Sequence, residues 1–369
     1  MTRLKGLSLF ANVGIAETYL KSCNIDIVVA NEINETRAKF YSHLYPEVNM
    51  IVGDITDSSI FDIIVKESNK KNVDFLIATP PCQGMSLAGK RNTYDERNQL
   101  IFYAVEMIKK LKPKYVMLEN VPQLLKTKII INNEILTIPN YIVRELKNDY
   151  NFADQSIVSA MDYEVPQMRK RNIFLLSRKD MKYVWQMPLK KKIITLKEAI
   201  GDLPSVDPLL KEGLRETLEI FPQYELKRIE AEKISKFHHP PVHAKKHVIA
   251  MMHTPRETAF NNEKYYPKKD NGDRVNGHNN TYRRYDWNKP ARTITQNNGV
   301  ISSLCCVHPG RYIGKDSDGY DLYSDARCLT IYELLIVFSL PKDWNIPEWA
   351  DDRLIRQVIG EGIPPMLVK

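Results

Sequence analysis

The run Ala78-Thr79-Pro80-Pro81-Cys82-Gln83-Gly84-Met85-Ser86 sets a thiol directly after two prolines. Proline fixes φ and removes a backbone donor, so this turn cannot relax into a helix and the thiol is aimed. A thiolate held this way is a nucleophile; a small, inert, buried cysteine is the other reading of the same tripeptide. Downstream, Glu119-Asn120-Val121 follows the apolar run Tyr115-Val116-Met117-Leu118, and Gln167-Met168-Arg169-Lys170-Arg171 precedes Ile173-Phe174-Leu175-Leu176. Each of these alone reads as a solvated acid or a surface charge run. Taken in order behind Pro81-Cys82, they form a set able to do chemistry on a polar ring: thiol, carboxylate, paired guanidinium groups.

The elements that must position this set are short apolar strands. Val73-Asp74-Phe75-Leu76-Ile77 reads as a buried strand ending at the proline turn, and open α/β sheets bind their ligands at such carboxyl ends. Gly6-Leu7-Ser8-Leu9-Phe10 is a strand, and Ala11-Asn12-Val13-Gly14-Ile15-Ala16-Glu17 turns into a helix. Only Gly14 supplies backbone freedom there, so Asn12 must take any left-handed position, which asparagine tolerates. The strand Ile25 to Ala30 ends at Asn31-Glu32, about twenty residues past the glycine turn, the spacing of a ribose-binding acid. Ile51-Val52-Gly53-Asp54-Ile55 ends on a second acid. Either acid alone could be a helix N-cap; together, Glu32 and Asp54 indicate an adenosine site.

In that order, these motifs resemble the DNA cytosine-5 methyltransferases, including those of bacterial restriction-modification systems, over nearly the whole chain. The resemblance implies S-adenosylmethionine as methyl donor, S-adenosylhomocysteine as product, and no metal. It makes Phe10, Ala11, Asn12, Gly14, Glu32, Ile33, Asp54, Ile55, Pro80 and Leu100 the cofactor-binding residues, with Phe10 stacking on the adenine, Glu32 on the ribose and Asp54 near the adenine amino group. Cys82 matches the nucleophile, Glu119 the base-binding glutamate, and Arg169 and Arg171 the Gln-x-Arg-x-Arg motif. Gln83, Ser86 and Arg97 fall in the mobile loop that closes over DNA, with Asp95 to Leu100 as its closing segment. Arg327-Cys328-Leu329-Thr330 with Glu333 resembles the small-domain motif, and Gln357 to Pro365 the last motif, which returns to the cofactor. Three positions depart from the pattern: Asn12 and Ile15 stand where glycine is usual, and Glu361 where asparagine is usual.

The chemistry explains the residue types. Adding a thiolate to C6 of cytosine makes C5 enamine-like and able to accept a methyl group. A protonated Glu119 neutralises the charge that develops at N3, which requires a raised carboxyl pKa. Arg171 donates to O2, with Arg169 supporting it or holding phosphate. The target carbon is unreachable in a stacked duplex, so the base must flip out. Two other classes remain open: an RNA cytosine-5 methyltransferase, and a non-catalytic DNA-binding subunit of a two-chain methyltransferase. Competition between DNA and RNA substrates separates the first. Intact Cys82, Glu119 and Arg171 argue against the second.

The periodicity through residue 180 alternates short strands with helical stretches such as Leu100 to Lys110, which implies a mostly parallel, Rossmann-like α/β sheet covered on both faces. The expected organisation is a catalytic and cofactor-binding domain over 1–180, a smaller target-recognition domain over 181–344, and a segment over 345–369 that folds back onto the first. The helix read over Ile331 to Leu340 is assigned to the smaller lobe.

The chain has 53 Lys+Arg against 45 Asp+Glu, and its charge is uneven, with 22 basic against 14 acidic residues and six of eight histidines in 181–300. A basic, irregular segment beside a catalytic core suits a polyanion, here duplex DNA. Arg283 and Arg284, in Tyr282-Arg283-Arg284-Tyr285-Asp286-Trp287, are its candidate DNA contacts, and Arg292 to Asn298 clusters amides suited to base reading. Five cysteines, none in a Cys-x-x-Cys pair, argue against a disulfide framework and a zinc site. With no signal peptide and no long apolar run, the expectation is a cytoplasmic monomer, away from membranes, with a cognate restriction endonuclease as partner.

Overall fold

The computed structural model describes residues 3–81, 100–131, 134–154, 156–255, 264–266, 268–274, 282–299 and 306–369. Its first half is an α/β sheet. The strands are β1 (Leu4–Leu9), β2 (Ile25–Glu32), β3 (Asn49–Val52), β4 (Phe75–Ala78), β5 (Tyr115–Asn120), a hairpin of β6 (Lys128–Ile131) and β7 (Glu134–Thr137), then β8 (Tyr150–Phe152), β9 (Ile157–Ser159), β10 (Gln167–Met168) and β11 (Lys170–Arg178). The sheet order is β3-β2-β1-β4-β5-β11-β8, with β9 also on β11. The first five strands run parallel, and β11 lies antiparallel to β5.

Phe75-Leu76-Ile77-Ala78 is buried along its whole length, as a central parallel strand covered on both faces must be. The chain order reverses between β1 and β4, so their carboxyl ends open a crevice. Phe10, Glu32, Pro80 and Glu119 all stand at that edge of the sheet.

Helices α1 (Glu35–Leu44), α2 (Ser58–Lys70), α3 (Leu100–Leu111) and α4 (Ile138–Leu146) cover this sheet. On α3, Ile101, Ala104, Val105, Met107 and Ile108 are all buried, so each large side chain contributes up to ~1.5–3 kcal/mol of apolar burial. Asn34, Asp57 and Thr137 accept bonds from first-turn N–H groups of α1, α2 and α4, which fixes where those helices start.

The second half has short helices: α5 (Leu196–Ile200), α6 (Leu214–Ile220), α7 (Tyr224–Ile234), α8 (Lys245–Met252), α9 (Ile331–Val337), α10 (Asp352–Glu361) and α11 (Pro365–Val368). One small core joins Leu210, Val248, Met251, Tyr282, Val307 and Cys328. The helix α9 packs on α5 of the second half, through Leu196 and Ile200, and also reaches the first half. Ile331, Leu334 and Leu335 share a core with Val13, Ile15 and Phe40 beside the first turn of the sheet. Leu367 and Val368 reach the opposite face, against a cluster containing Leu20, Ile25 and Phe75. Among the described residues no helix is long and apolar enough to cross a membrane.

Candidate active site

The turn after β1 is built from residues with positive φ. Phe10 has φ 57°, Asn12 51° and Gly14 81°, so Asn12 takes the left-handed position expected of it. At Gly14 any Cβ would lie 2.3 Å from the Tyr45 ring, so only glycine fits. Ala11 N donates to Asn31 O (3.0 Å), and Thr79 Oγ1 to Phe10 O (3.1 Å), which ties the turn to β2 and to the turn after β4.

Glu32 is buried at the end of β2. Its Oε2 accepts from Asn12 N (2.8 Å) and its Oε1 from Asn34 N (2.9 Å), so the carboxylate staples the first turn to the start of α1. Gly53 N donates to Glu32 O (3.1 Å), which brings Asp54 to the neighbouring strand end. Asp54 is exposed and accepts from Thr56 N (2.9 Å); Ile55 beside it is buried. Ile33, by contrast, is 62% exposed, an apolar side chain in the open directly after Glu32.

An adenosine fits these residues. Ile33 offers apolar surface for a base, Glu32 and Asp54 offer acceptors, and Asn12 Oδ1 is a buried acceptor with no partner among the described residues. Pro80 is buried, and Leu100 is half-buried at the start of α3. No cluster of three or more His, Cys, Asp or Glu among the described residues is arranged to hold a metal ion.

The second half of the site lies one strand along. The β5–β11 register sets Ile173 opposite Glu119 and Asn172 opposite Asn120, so Arg171 emerges beside Glu119. Arg171 Nε lies 2.8 Å from Glu119 Oε1, and both side chains are about nine-tenths buried. Burial drives the Glu119 carboxyl above its usual range, against the opposing pull of Arg171 and then Arg169. The carboxyl is thus placed to carry a proton while a guanidinium holds one of its oxygens. Arg171 Nη1 also donates to Lys170 O (2.8 Å).

Arg169, two residues earlier, is held by backbone carbonyls. It is 2% exposed and donates to Ile294 O (2.7 Å), Gly360 O (3.0 Å) and Gly362 O (2.7 Å). A guanidinium buried among carbonyls is not open to a phosphate, which corrects that expectation. Cys82, with Gln83, Ser86 and Arg97, lies outside the described residues; the chain leading to Cys82 is placed as far as Pro81.

One group expected at the DNA surface is turned inward, and a second is divided. Arg284 is fully buried and donates to Thr254 O (2.8 Å) and His308 O (2.7 Å), with its guanidinium 4.7 Å from the centre of the Tyr323 ring. It braces the small lobe and cannot reach DNA, because its N–H groups are committed to backbone carbonyls. Arg283, next to it on a strand, is half-buried. In the amide cluster, Asn298 is buried and bonded to Arg356 of α10 through both ends of its amide. Gln167 Oε1 accepts from Ile294 N (3.1 Å), which ties the segment to β10, while Gln296 and Asn297 of the same cluster are exposed.

Three residues at the site are not singled out by the sequence. Asn120 Nδ2 donates to Pro80 O (2.9 Å). Glu17 is buried behind the first turn and hydrogen-bonded by Ser8 Oγ. Arg37 on α1 pairs with Glu361 at 2.7 Å. Asn120 adjoins Glu119 in its motif; the other two carry no local signal.

Known proteins match this arrangement. The family model for C-5 cytosine-specific DNA methylase covers residues 4–369. The Type II methyltransferase M1.HgaI of Avibacterium volantium is 42% identical over 372 residues, which is 99% of this chain and 96% of that protein. The Type II methyltransferase M.XorII of Xanthomonas oryzae is 30% identical over 210 residues, 56% of this chain and 48% of that one. Among solved structures, an E. coli prophage protein described as a DNA modification methyltransferase superposes with a TM-score of 0.66 at 20% identity, covering 99% of this chain and 96% of its own. A DNMT2 mutant from Spodoptera frugiperda gives 0.59 at 15%, covering 99% and 97%. At these identities the two structures speak for the fold.

Proposed function

The chain belongs to the C-5 cytosine-specific DNA methylase family and is a DNA cytosine-5-methyltransferase, and from that premise we propose how its own residues act. In this reading it modifies a cytosine within a specific duplex sequence, as the modification enzyme paired with a cognate restriction endonuclease. The target base is flipped out of the stack, because C5 and C6 are shielded within it.

Cys82 adds as a thiolate to C6, forming a carbon–sulfur bond and pushing electron density toward N3. Glu119 holds a proton at Oε2 for N3, while Arg171 keeps Oε1 and turns Nη2 to O2. Burial of Glu119 supports this, since it favours the neutral carboxyl. When bound, S-adenosylmethionine supplies a sulfonium methyl group, and the enamine-like C5 is the carbon that takes it. Loss of the C5 proton to a base, with expulsion of the Cys82 thiolate and return of the N3 proton to Glu119, restores the aromatic ring. Phe10, Glu32, Ile33 and Asp54 hold the adenosine end at the ends of β1, β2 and β3, and β1 adjoins β4, which carries the turn into Cys82.

The observation that carries the reading is the Glu119–Arg171 pair, buried at the same sheet edge as Pro80 and the adenosine-binding loop. Bisulfite sequencing of DNA from cells expressing the protein tests it. Protected cytosines within one short sequence are expected, and they vanish with Cys82→Ser. Unmodified DNA beside methylated RNA would overturn the substrate assignment.

A further inference from the structure

Two of the three positions that depart from the family pattern, Asn12 and Glu361, touch each other, and the third, Ile15, lies against the residue after Glu361. Glu361 ends α10, and its Oε2 lies 2.7 Å from Arg37 Nη2 and 3.4 Å from Asn12 Nδ2. Its Oε1 accepts from Gln357 Nε2 (3.0 Å). Ile15 meets the next residue of the same turn: a Cβ on Gly362 would stand 2.9 Å from Ile15 Cδ1. Asn12 and Ile15 lie in the adenosine-binding loop, and Glu361 and Gly362 in the last motif.

Asn12 is therefore held twice. Its backbone N–H donates to Glu32, and its side-chain amide to Glu361. A carboxylate only accepts, so Glu361 fixes which end of the amide faces it. Nδ2 turns to Glu361, and Oδ1 is left as the buried acceptor with no partner among the described residues. Arg37 holds Glu361 in orientation, and both side chains are only about one-fifth exposed, where screening is weaker than on an open surface. The turn is pinned from the far side by Arg169, which binds the carbonyls of Gly360 and Gly362. A glycine at position 12 would need no such clamp, because it adopts positive φ without steric cost.

We infer that Glu361 is a positioning residue for the cofactor: with Arg37 it locks the amide of Asn12 and so holds the left-handed loop in its binding shape. This rests on the reading of that loop as the S-adenosylmethionine site. The alternative is that Glu361 only fastens the C-terminal segment.

Calorimetry with S-adenosylmethionine on the full chain, without DNA, separates the two. Glu361→Ala is expected to weaken binding about tenfold, as loss of a hydrogen bond to a charged group would. Glu361→Gln keeps an acceptor for Asn12 and stays within about threefold of wild type, which also guards against a variant that fails to fold. In an Asn12→Gly background the loss caused by Glu361→Ala should disappear, because there is no amide left to orient. Melting temperature reports the fastening role, which is the same in both backgrounds. Wild-type affinity in Glu361→Ala would overturn the inference, as would an undiminished tenfold loss in the Asn12→Gly background. A wild-type protein that binds no S-adenosylmethionine overturns the functional reading itself, and is distinguished by being seen before any variant is made.

Discussion

The side-chain amide of Asn120 donates to the carbonyl of Pro80 at 2.9 Å, so the strand end bearing Glu119 and the turn leading to Cys82 are fastened to each other. The same residue's Oδ1 accepts from Val121 N (2.8 Å), which leaves the amide no freedom to rotate. Small displacements between reacting groups cost large factors in rate. Asn120→Ala is therefore expected to lower kcat by roughly 10–100-fold while S-adenosylmethionine affinity changes little. Steady-state kinetics and calorimetry check the split. An equal loss in both would mean that Asn120 supports the whole sheet edge rather than the thiol turn.

Cys82→Ser should abolish methyl transfer and spare cofactor binding, because a hydroxyl at neutral pH is a far weaker nucleophile than a thiolate. DNA with 5-fluorocytosine at the target should trap the wild-type protein as a denaturant-resistant adduct, since fluorine blocks the final elimination. A trapped adduct that survives in Cys82→Ser would remove the cysteine from its role.

Glu32→Ala deprives Asn12 N and Asn34 N of their shared acceptor. The expected cost is ~1–3 kcal/mol in S-adenosylmethionine binding, the scale of leaving a buried polar group unpaired. Calorimetry that finds wild-type affinity would take Glu32 out of the cofactor site.

The sheet edge was legible because its signals are local. Phe75-Leu76-Ile77-Ala78 before a proline pair reads as a buried strand meeting a stiff turn, and an acid after Ile25 to Asn31 reads as a strand-end ligand. Asn12 was legible for the same reason, as the residue before Gly14 best able to take positive φ. Arg283 and Arg284 were not separable. Both are cations in one dipeptide, and the one that turns inward is decided by carbonyls of Thr254 and His308, which no local pattern announces. The Arg37–Glu361 pair was hidden likewise, since it joins α1 to the end of α10. The helix Ile331–Val337 reads correctly as a helix, but its core joins Leu196 and Ile200 of α5 to Val13, Ile15 and Phe40 at the far end of the chain, which no local pattern shows.

Glu17 makes stability depend on pH. Burial pushes its carboxyl up to about 7, against the hydrogen bond from Ser8 Oγ. Tyr41 and Tyr45 lie close by, and Tyr45 Oη donates to Gly14 O (2.7 Å), so the charge would form behind the turn after β1. A carboxyl raised in the folded state binds a proton that the unfolded chain has released. Its contribution is full below about 4.5 and is lost as pH rises through about 7, on the order of 3 kcal/mol in all. Thermal unfolding should show wild type losing stability from pH 5 to about 8 more steeply than Glu17→Gln. Parallel curves would mean that Glu17 titrates in its ordinary range.

Arg283 and Arg284 should fail in different ways when replaced. Arg284→Gln strands the carbonyls of Thr254 and His308 inside the small lobe and empties the space beside Tyr323. A cost of ~3–5 kcal/mol in stability is expected, seen as a lower melting temperature. Below that temperature its DNA binding should keep the wild-type salt dependence, because this guanidinium never meets a phosphate. Arg283→Gln tests the DNA-facing role that its neighbour cannot fill. Its binding to cognate and mismatched duplexes should weaken alike, with the log–log salt slope lower by about one unit because one phosphate fewer is neutralised. Loss of discrimination at one base pair, by ~1–3 kcal/mol, would instead make Arg283 a base reader. Unchanged affinity, slope and discrimination in Arg283→Gln would move the recognition surface away from this strand altogether.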